Sequence, residues 1–342
     1  MKIALISLNQ AWEDKELNWA SCNKYIKHAS NCNVELIIFP EMTLTGFSVN
    51  TTLTREERSN SDTIAKFSEA AEKYNIAIVF GMVIKNQAKA FNESIFISSH
   101  GSVIGEYTKI HPFTFAGEGK YFDSGDRLEV VQYQSMNIGL SICYDLRFPE
   151  IYSAMAQNCD LIINIANWPK KRMSHWKALL KARAIENQIF IIGVNRTGID
   201  GNDLEYADSS CAYDANGELI PSSSEGNMHI YEIDKQWQED YRSSINTVCD
   251  RKIEFYKEVL TKKVQFFISK KMLTKLKKLW NLSNLKKKPD FHETLFCLYL
   301  RYYTWNSGAH QFAMKHEFKD VLNKQYKINF ECFASPYNVY YD

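Results

Sequence analysis

The stretch GLSICYDLRFPE, residues 139–150, joins a strand pattern to the start of a helix. Residues 136–142 cluster apolar side chains as a buried strand does, and residues 148–150 are typical of a first helical turn. Cys143 is therefore predicted at a strand-to-helix junction, where free N–H groups lower the pKa of a thiol and can hold an oxyanion. The pattern indicates either a nucleophile or a small buried apolar residue.

The same rhythm of apolar strand, polar turn and helical pattern runs through the first three quarters of the chain. Helical patterns are predicted at residues 14–29, 61–75 and about 174–187, between strand-like runs such as KIALISLN (2–9) and VELIIFP (34–40). Turn signals at His100-Gly101 and Asn216-Gly217 predict paired strands. The class is α/β, with helices covering sheets.

Composition places the chain among ordinary water-soluble proteins, with 45% hydrophobic and 24% charged residues among 342. The apolar run at the start is too short for a signal peptide, and no stretch approaches the roughly 20 apolar residues of a membrane span, so we expect a cytoplasmic location. Eight cysteines occur without CxxC pairs or nearby histidine spacing. Neither a zinc site nor a disulfide framework is indicated, and reduced thiols are expected.

The charge is distributed unevenly along the chain. Residues 1–258 carry 26 Lys and Arg against 34 Asp and Glu, whereas residues 259–342 carry 15 against 6. Ten lysines and no acidic residue lie between Glu258 and Asp290. We therefore predict one domain, large enough for an enzyme, over 1–258. A basic amphipathic linker or helix over 259–289 and a small extension over 290–342 follow it.

Two further strand ends carry side chains suited to chemistry. Glu41 follows the apolar run ELIIF, where a carboxylate at the edge of a buried sheet suits a general base. Lys109 follows the strand pattern before His111-Pro112, where an ammonium could stabilise charge on a substrate oxygen. Each residue by itself is also compatible with a solvated loop or surface position, which is the common one for such side chains.

Taken together, Glu41 in FPEMTLTGF, Lys109 in YTKIHPF and Cys143 in GLSICYDLRFPE resemble the nitrilase, or carbon-nitrogen hydrolase, superfamily. The resemblance extends to about Tyr256 and implies an alpha-beta-beta-alpha sandwich that pairs as a homodimer through its outer helices. Within the superfamily, CYDLRFPE, ANWP, KARAIENQ and NRTGIDGN are most similar to omega-amidases, which hydrolyse the terminal amide of 2-oxoglutaramate and 2-oxosuccinamate.

The resemblance also implies a mechanism without a metal or organic cofactor. Cys143 would attack the amide carbon after Glu41 takes its proton, and the oxyanion would lie between Lys109 and the backbone N–H of Tyr144. Glu118 matches a second family glutamate that could orient Lys109 or the substrate; it is otherwise a loop carboxylate beside Lys120. Arg147 is the candidate for a substrate carboxylate, with a salt bridge to Glu150 as the alternative.

The basic C-terminal extension is not required for this chemistry. Ile268, Met272, Leu276 and Leu279 fall at helical spacing among lysines, which predicts a basic amphipathic helix that binds anionic lipid or RNA weakly, or packs on its own domain. The last fifty residues faintly resemble the opening part of cap-adenosine N6-methyltransferase domains. No two prolines are adjacent in the chain, so the motif that such enzymes need is missing.

The sequence thus predicts a cysteine amidase for a small carboxylated amide. The alternatives are a deaminated-glutathione amidase, which shares the nucleophile context, and an RNA- or membrane-associated module in which the hydrolase is a scaffold. The exact amide, the oligomeric state and the role of residues 259–342 are left open.

Overall fold

Strands and helices alternate in the computed structural model, which describes residues 1–261. The strands in this range are β1 Lys2–Ile6, β2 Leu36–Ile38, β3 Ala77–Asn86, β4 Lys89–Ile97, β5 Val103–Thr108, β6 Val130–Tyr133, β7 Met136–Ile142, β8 Leu161–Ala166, β9 Phe190–Asn195, β10 Gly198–Ile199, β11 Glu205–Tyr206, β12 Cys211–Tyr213, β13 Ser223–Glu225 and β14 Met228–Glu232. The α-helices are α1 Lys15–Asn31, α2 Thr51–Thr54, α3 Asp62–Tyr74, α4 Pro149–Met155, α5 Met173–Asn187, α6 Lys235–Ser244 and α7 Ile253–Thr261.

Two large sheets form the centre of the fold. One has the strand order β13-β14-β1-β2-β3-β4-β5, and the other has the order β12-β9-β8-β7-β6. The β1–β2–β3 and β7–β8–β9 pairs are parallel, while the outer strands of both sheets pair antiparallel. Parallel neighbours require helical crossovers, which accounts for the strand–helix rhythm of the sequence.

The core has three layers of apolar side chains because both faces of each sheet are covered. Along β1, Ile3 and Leu5 face the opposite sheet, whereas Ala4 and Ile6 pack under α1 and α3. Trp176 and Leu180 of α5 cover the other sheet from outside. The architecture is therefore the alpha-beta-beta-alpha sandwich that was predicted.

Helix boundaries follow from local capping. Asp14 accepts the N–H of Leu17 at the start of α1, and Ser61 accepts that of Ile64 at the start of α3. Helix α3 ends at Asn75, which has the left-handed conformation usual after a helix. These caps explain why the helical patterns in the sequence predicted both helices closely.

The chain divides into two compact units, Met1–Arg251 and Lys252–Asp342. Helix α7 runs across residue 258, where the sequence analysis placed a boundary, and that boundary stays a prediction. The predicted basic helix and the small extension lie outside the described residues. Within residues 1–261, no helix is both long and apolar enough to cross a bilayer.

Candidate active site

The structure brings Glu41, Lys109 and Cys143 together just beyond the ends of β2, β5 and β7. Glu41 and Lys109 are at most 1% exposed, although each is an ionisable side chain. Such burial requires charge pairing, because an isolated charge in the protein interior is strongly disfavoured. The alternative of solvated loop positions for Glu41 and Lys109 is therefore wrong.

An ion cluster satisfies these buried charges. Lys109 Nζ lies 2.9 Å from Glu41 Oε1 and donates to both oxygens of Glu118, at 3.0 and 2.9 Å. Glu118 is fully buried and also accepts the N–H of Phe113. Glu118 is thus part of the cluster and is not the loop carboxylate beside Lys120 that was the alternative.

Two asparagines that the sequence analysis did not select hold the carboxylates in place. Asn92 Nδ2 donates to Glu41 Oε1 at 2.7 Å and to Glu118 Oε1 at 3.1 Å. The backbone N–H of Asn167 donates to Glu41 Oε2 at 2.9 Å, and its carbonyl oxygen lies 3.9 Å from Cys143 Sγ. Asn167 therefore connects the carboxylate to the thiol. The quoted ANWP motif contained Asn167, but nothing local indicated Asn92.

The backbone at Glu41 approaches β3 closely. A Cβ on Gly81 would lie 2.4 Å from Met42 N and 2.8 Å from Glu41 Cα, so only glycine fits there. Met42 itself has φ +47°, a conformation that is uncommon for residues with side chains. Close packing against Gly81 therefore contributes to fixing the Glu41 carboxylate.

Cys143 also has a left-handed backbone, with φ +46°. It begins a 3-10 helix, Cys143–Arg147, that precedes α4 and that the sequence analysis did not separate from it. Buried Asp145 ties down this turn by accepting the N–H of Ile142, the hydroxyl of Tyr107 and the N–H of His111. Asp145 lay in the quoted motif, and its positioning contacts became evident only in the structure.

The thiol of Cys143 is more basic than expected. Burial, followed by the charge of Glu41, raises its pKa well above the ordinary value, and the opposing effect of Lys109 is smaller. The prediction that the helix start lowers this pKa is therefore wrong. A neighbouring base is needed to take the proton. Glu41 is suited to this because the backbone of Asn167 contacts both its carboxylate and the thiol.

Lys109 remains an ammonium in this site. Burial alone would lower its pKa, but the carboxylates of Glu118 and Glu41 outweigh that effect and raise the pKa above its ordinary value. Its three N–H donors face the three carboxylate oxygens described above. A positive charge is thus fixed next to the thiol.

Cations and aromatic rings surround the nucleophile turn. The Arg147 guanidinium lies 4.9 Å from the Trp168 ring centroid and 5.9 Å from that of Tyr144. Arg172, which the sequence analysis missed, lies 5.4 Å from the Phe113 ring, and that ring is 4.9 Å from Tyr144. These contacts group both arginines around Tyr144, the residue after Cys143.

Neither arginine is neutralised by a carboxylate within the described part of the chain. Arg147 Nη2 lies 3.4 Å from His175 Nδ1, and no salt bridge joins Arg147 to Glu150 or Arg172 to any acidic side chain of residues 1–261. The alternative of a salt bridge to Glu150 is not observed. Two half-buried guanidinium groups near Tyr144 thus carry charge that could pair with an anionic group.

The four-layer fold and the set of a buried glutamate, a buried lysine and a cysteine are features of the nitrilase superfamily of hydrolases. The model of the carbon-nitrogen hydrolase family matches residues 2–242, and the chain belongs to that family. It is accordingly an amidase, a hydrolase of carbon–nitrogen bonds. The family resemblance drawn from the sequence is confirmed.

Curated relatives cover most of this domain. The chain is 31% identical over 268 residues to a Staphylococcus aureus protein named hydrolase in agr operon, which covers 75% of this chain and 100% of the relative. It is 30% identical to an Escherichia coli omega-amidase (65% of this chain, 85% of the relative) and 30% identical to a Bacillus subtilis 2-oxoglutaramate amidase (68% and 89%).

Solved structures share the fold. A CN-hydrolase superfamily protein from Xanthomonas campestris superposes with a TM-score of 0.68 at 27% identity, covering 79% of this chain and 99% of the other. A Nesterenkonia amidase has a TM-score of 0.67 at 20% identity, covering 75% and 96%. A second family model, described as phosphorylated CTD interacting factor 1 WW domain, matches residues 275–342, the region of the second resemblance.

Proposed function

We propose that this enzyme is a cysteine-dependent omega-amidase that converts a small carboxylated amide, such as 2-oxoglutaramate or 2-oxosuccinamate, to the 2-oxo acid and ammonia. The observation that carries the proposal is the cluster in which Asn167 links Glu41 to Cys143 while Lys109 faces Glu41. Relatives at about 30% identity named omega-amidase and 2-oxoglutaramate amidase support the substrate class.

The first half of the reaction forms a thioester. Glu41 takes the thiol proton as Cys143 Sγ attacks the amide carbon, and the carbon–oxygen π electrons move to the oxygen. The oxyanion is stabilised by the Lys109 charge and by the N–H of Tyr144, which lies in the first turn of the 3-10 helix. Glu41 then gives the proton to the nitrogen as the C–N bond breaks, and ammonia leaves.

The second half hydrolyses the thioester. Glu41 takes a proton from water, the resulting hydroxide adds to the thioester carbon, and the C–S bond breaks with return of the proton to Sγ. Because Lys109 already donates to three carboxylate oxygens, a hydrogen bond to the oxyanion requires exchange of one of these contacts. During this exchange Glu118 keeps the Lys109 ammonium oriented.

The two unneutralised arginines support a carboxylated amide as the substrate. A guanidinium binds a carboxylate through two parallel hydrogen bonds. The rings of Tyr144 and Trp168 contact the Arg147 guanidinium but do not neutralise its charge. In this proposal Arg147 is the main carboxylate ligand, and Arg172 adds positive charge near the same Tyr144 ring. An uncharged amide gains nothing from either residue.

The test is ammonia release from 2-oxoglutaramate, 2-oxosuccinamate, deaminated glutathione and an uncharged aliphatic amide, measured side by side. We expect the highest kcat/KM for one of the first two. The highest value for deaminated glutathione would instead identify the alternative amidase. The highest value for the uncharged amide would refute the role of the arginines, and the Cys143→Ala protein controls for contaminating activity.

Assembly and location complete the proposal. We propose a homodimer in the cytoplasm that pairs through its outer helices; Ile185 on α5 is 48% exposed, as expected of a side chain available for pairing. Sedimentation of the full chain tests the homodimer, and a monomer at micromolar concentration would contradict it.

We propose that the basic extension binds RNA or anionic lipid weakly, independently of hydrolysis.

A further inference from the structure

Three metal-binding side chains meet outside the proposed active site, where the end of α1 approaches the hairpin of β13 and β14. His28 lies in the last turn of α1, and Cys32 is the capping residue directly after the helix. Glu225, the last residue of β13, lies with its Oε2 atom 2.5 Å from His28 Nε2. The ligand atoms of all three residues are within 4.8 Å of one another.

The backbone that carries these side chains is fixed by hydrogen bonds. Cys32 caps α1, and its N–H donates to the carbonyl oxygens of His28 and Ala29. Glu225 pairs with Met228 across the hairpin, and Gly226 supplies the left-handed turn with φ +60°. The three side chains therefore extend from backbone that is held in place on both sides of the cluster.

We propose that His28, Cys32 and Glu225 bind a zinc ion. Imidazole nitrogen, thiolate sulfur and carboxylate oxygen are the donors that zinc takes, at about 2.0–2.3 Å each, which puts neighbouring ligand atoms of a tetrahedral site roughly 3.3–3.8 Å apart. The spacing here is compatible with that geometry after small rotations. Three protein ligands leave the fourth position to water.

Electrostatics at this end of the helix favour a cation. The C-terminal end of α1 carries the partial negative charge of the helix dipole, and Glu225 adds a carboxylate. An ion pair between His28 and Glu225 accounts for two of the side chains, and the half-buried thiol of Cys32, which packs at the edge of the core under α1, lies beside them. The sequence analysis overlooked the four-residue spacing of His28 and Cys32, and Glu225 is almost two hundred residues from both.

Zinc at this position has a structural consequence. Strand β13 has only three residues, all of them exposed, and lies at the edge of the seven-stranded sheet. A metal that joins Glu225 to α1 would anchor this edge strand to the helix that covers the sheet. None of the three ligands belongs to the proposed catalytic machinery, so hydrolysis and metal binding are separable.

Cobalt(II) tests the site because its spectrum reports thiolate ligation and tetrahedral geometry. The full-length Cys143→Ala protein is used, so that the active-site thiol cannot bind the ion. We expect one tightly bound cobalt with a thiolate charge-transfer band, displaced by one equivalent of zinc. Adding Cys32→Ser should abolish the band, and Glu225→Gln should weaken binding at least tenfold.

The matched control is Cys249→Ser in the same Cys143→Ala protein, since Cys249 is an exposed free cysteine that does not belong to the group of His28, Cys32 and Glu225. It should bind cobalt as the parent does. Zinc should also raise the melting temperature of the parent but not that of the Cys32→Ser protein. An unchanged band in Cys32→Ser, or no band in the parent, would overturn the proposal without bearing on hydrolysis.

Discussion

Lys109 Nζ lies 2.9 Å from Glu41 Oε1 although the two residues are 68 positions apart, and solvent reaches neither side chain to any extent. Folding therefore depends on keeping this pair complete, together with Glu118 on the other side of the ammonium. Removing one charge from a buried ion cluster leaves the remaining charges uncompensated.

Lys109→Met should accordingly destabilise the fold by roughly 3–5 kcal/mol, because two carboxylates then face each other without a cation. Adding Glu118→Gln should restore part of that loss. Urea unfolding of the two single variants and the double variant measures the coupling. Strictly additive effects would show that the cluster does not act as a unit.

Cys143→Ala should abolish ammonia release and leave the fold intact, because it removes one sulfur atom and no charge. Alanine has the same Cβ as cysteine, so the left-handed conformation at this position is no more strained than before. Turnover and circular dichroism of the purified variant are the measurements. Retained turnover would eliminate the cysteine mechanism.

The raised pKa of Cys143 predicts how its alkylation depends on pH. Since burial and Glu41 favour the protonated thiol, the rate with iodoacetamide should still be rising above the ordinary thiol pKa of about 8.5. The free energy of unfolding should show the same sign, because it falls as pH rises from the unfolded pKa towards the higher folded pKa. Cys143→Ala should make that slope shallower without removing it, since Cys22, Cys159 and Cys211 also have raised pKa values.

Glu41→Gln sharpens this measurement. Because the carboxylate raises the thiol pKa, its removal should lower that pKa and speed alkylation near neutral pH, while hydrolysis is lost with the base. If the alkylation rate of the unaltered enzyme reached its plateau at a pH below the ordinary thiol pKa, the thiol would not be protonated at rest.

Arg147→Lys should raise KM for a carboxylated amide about 5- to 150-fold, the equivalent of 1–3 kcal/mol, since lysine replaces a planar fork with a point charge. The substitution should also weaken the contact between residue 147 and the Trp168 ring. KM for an uncharged amide is the control and should not change. Equal effects on both substrates would assign Arg147 a structural role only.

A chain that ends at Glu258 should be soluble and keep its turnover within a few fold. It retains Arg251, which donates to Ser153 O, Glu186 O and Asn187 Oδ1. A chain that ends at Asp250 lacks these bonds and should be less stable. Weak binding to RNA or anionic lipid, if the full chain shows it, should vanish in both and fall with salt.

Loss of turnover on ending the chain at Glu258 would mean that the C-terminal residues cover the hydrolase core or its dimer surface. Equal melting temperatures for the two shortened chains would show that the Arg251 contacts contribute little. Thermal unfolding and ammonia release on the same preparations distinguish these outcomes.

Much of the fold was predictable because its causes are local. The apolar run at residues 136–142 coincides with β7, and the pattern from about Ser174 to Asn187 lies within α5. His100-Gly101 falls in the turn between β4 and β5, where Gly101 has φ +77°. Periodicity, caps and turn residues act over a few positions and are therefore visible in the sequence.

The sequence by itself determined which side chains stand at the strand ends, and the resemblance selected Glu41, Lys109 and Cys143 from them. Only the tertiary structure decided that Asn92 bridges the two glutamates, that burial raises the thiol pKa and that Arg172 lies with Arg147 near Tyr144. These properties depend on contacts between residues far apart in the chain and on exclusion of water. Neither is encoded in any local pattern, because both arise when the two sheets pack together.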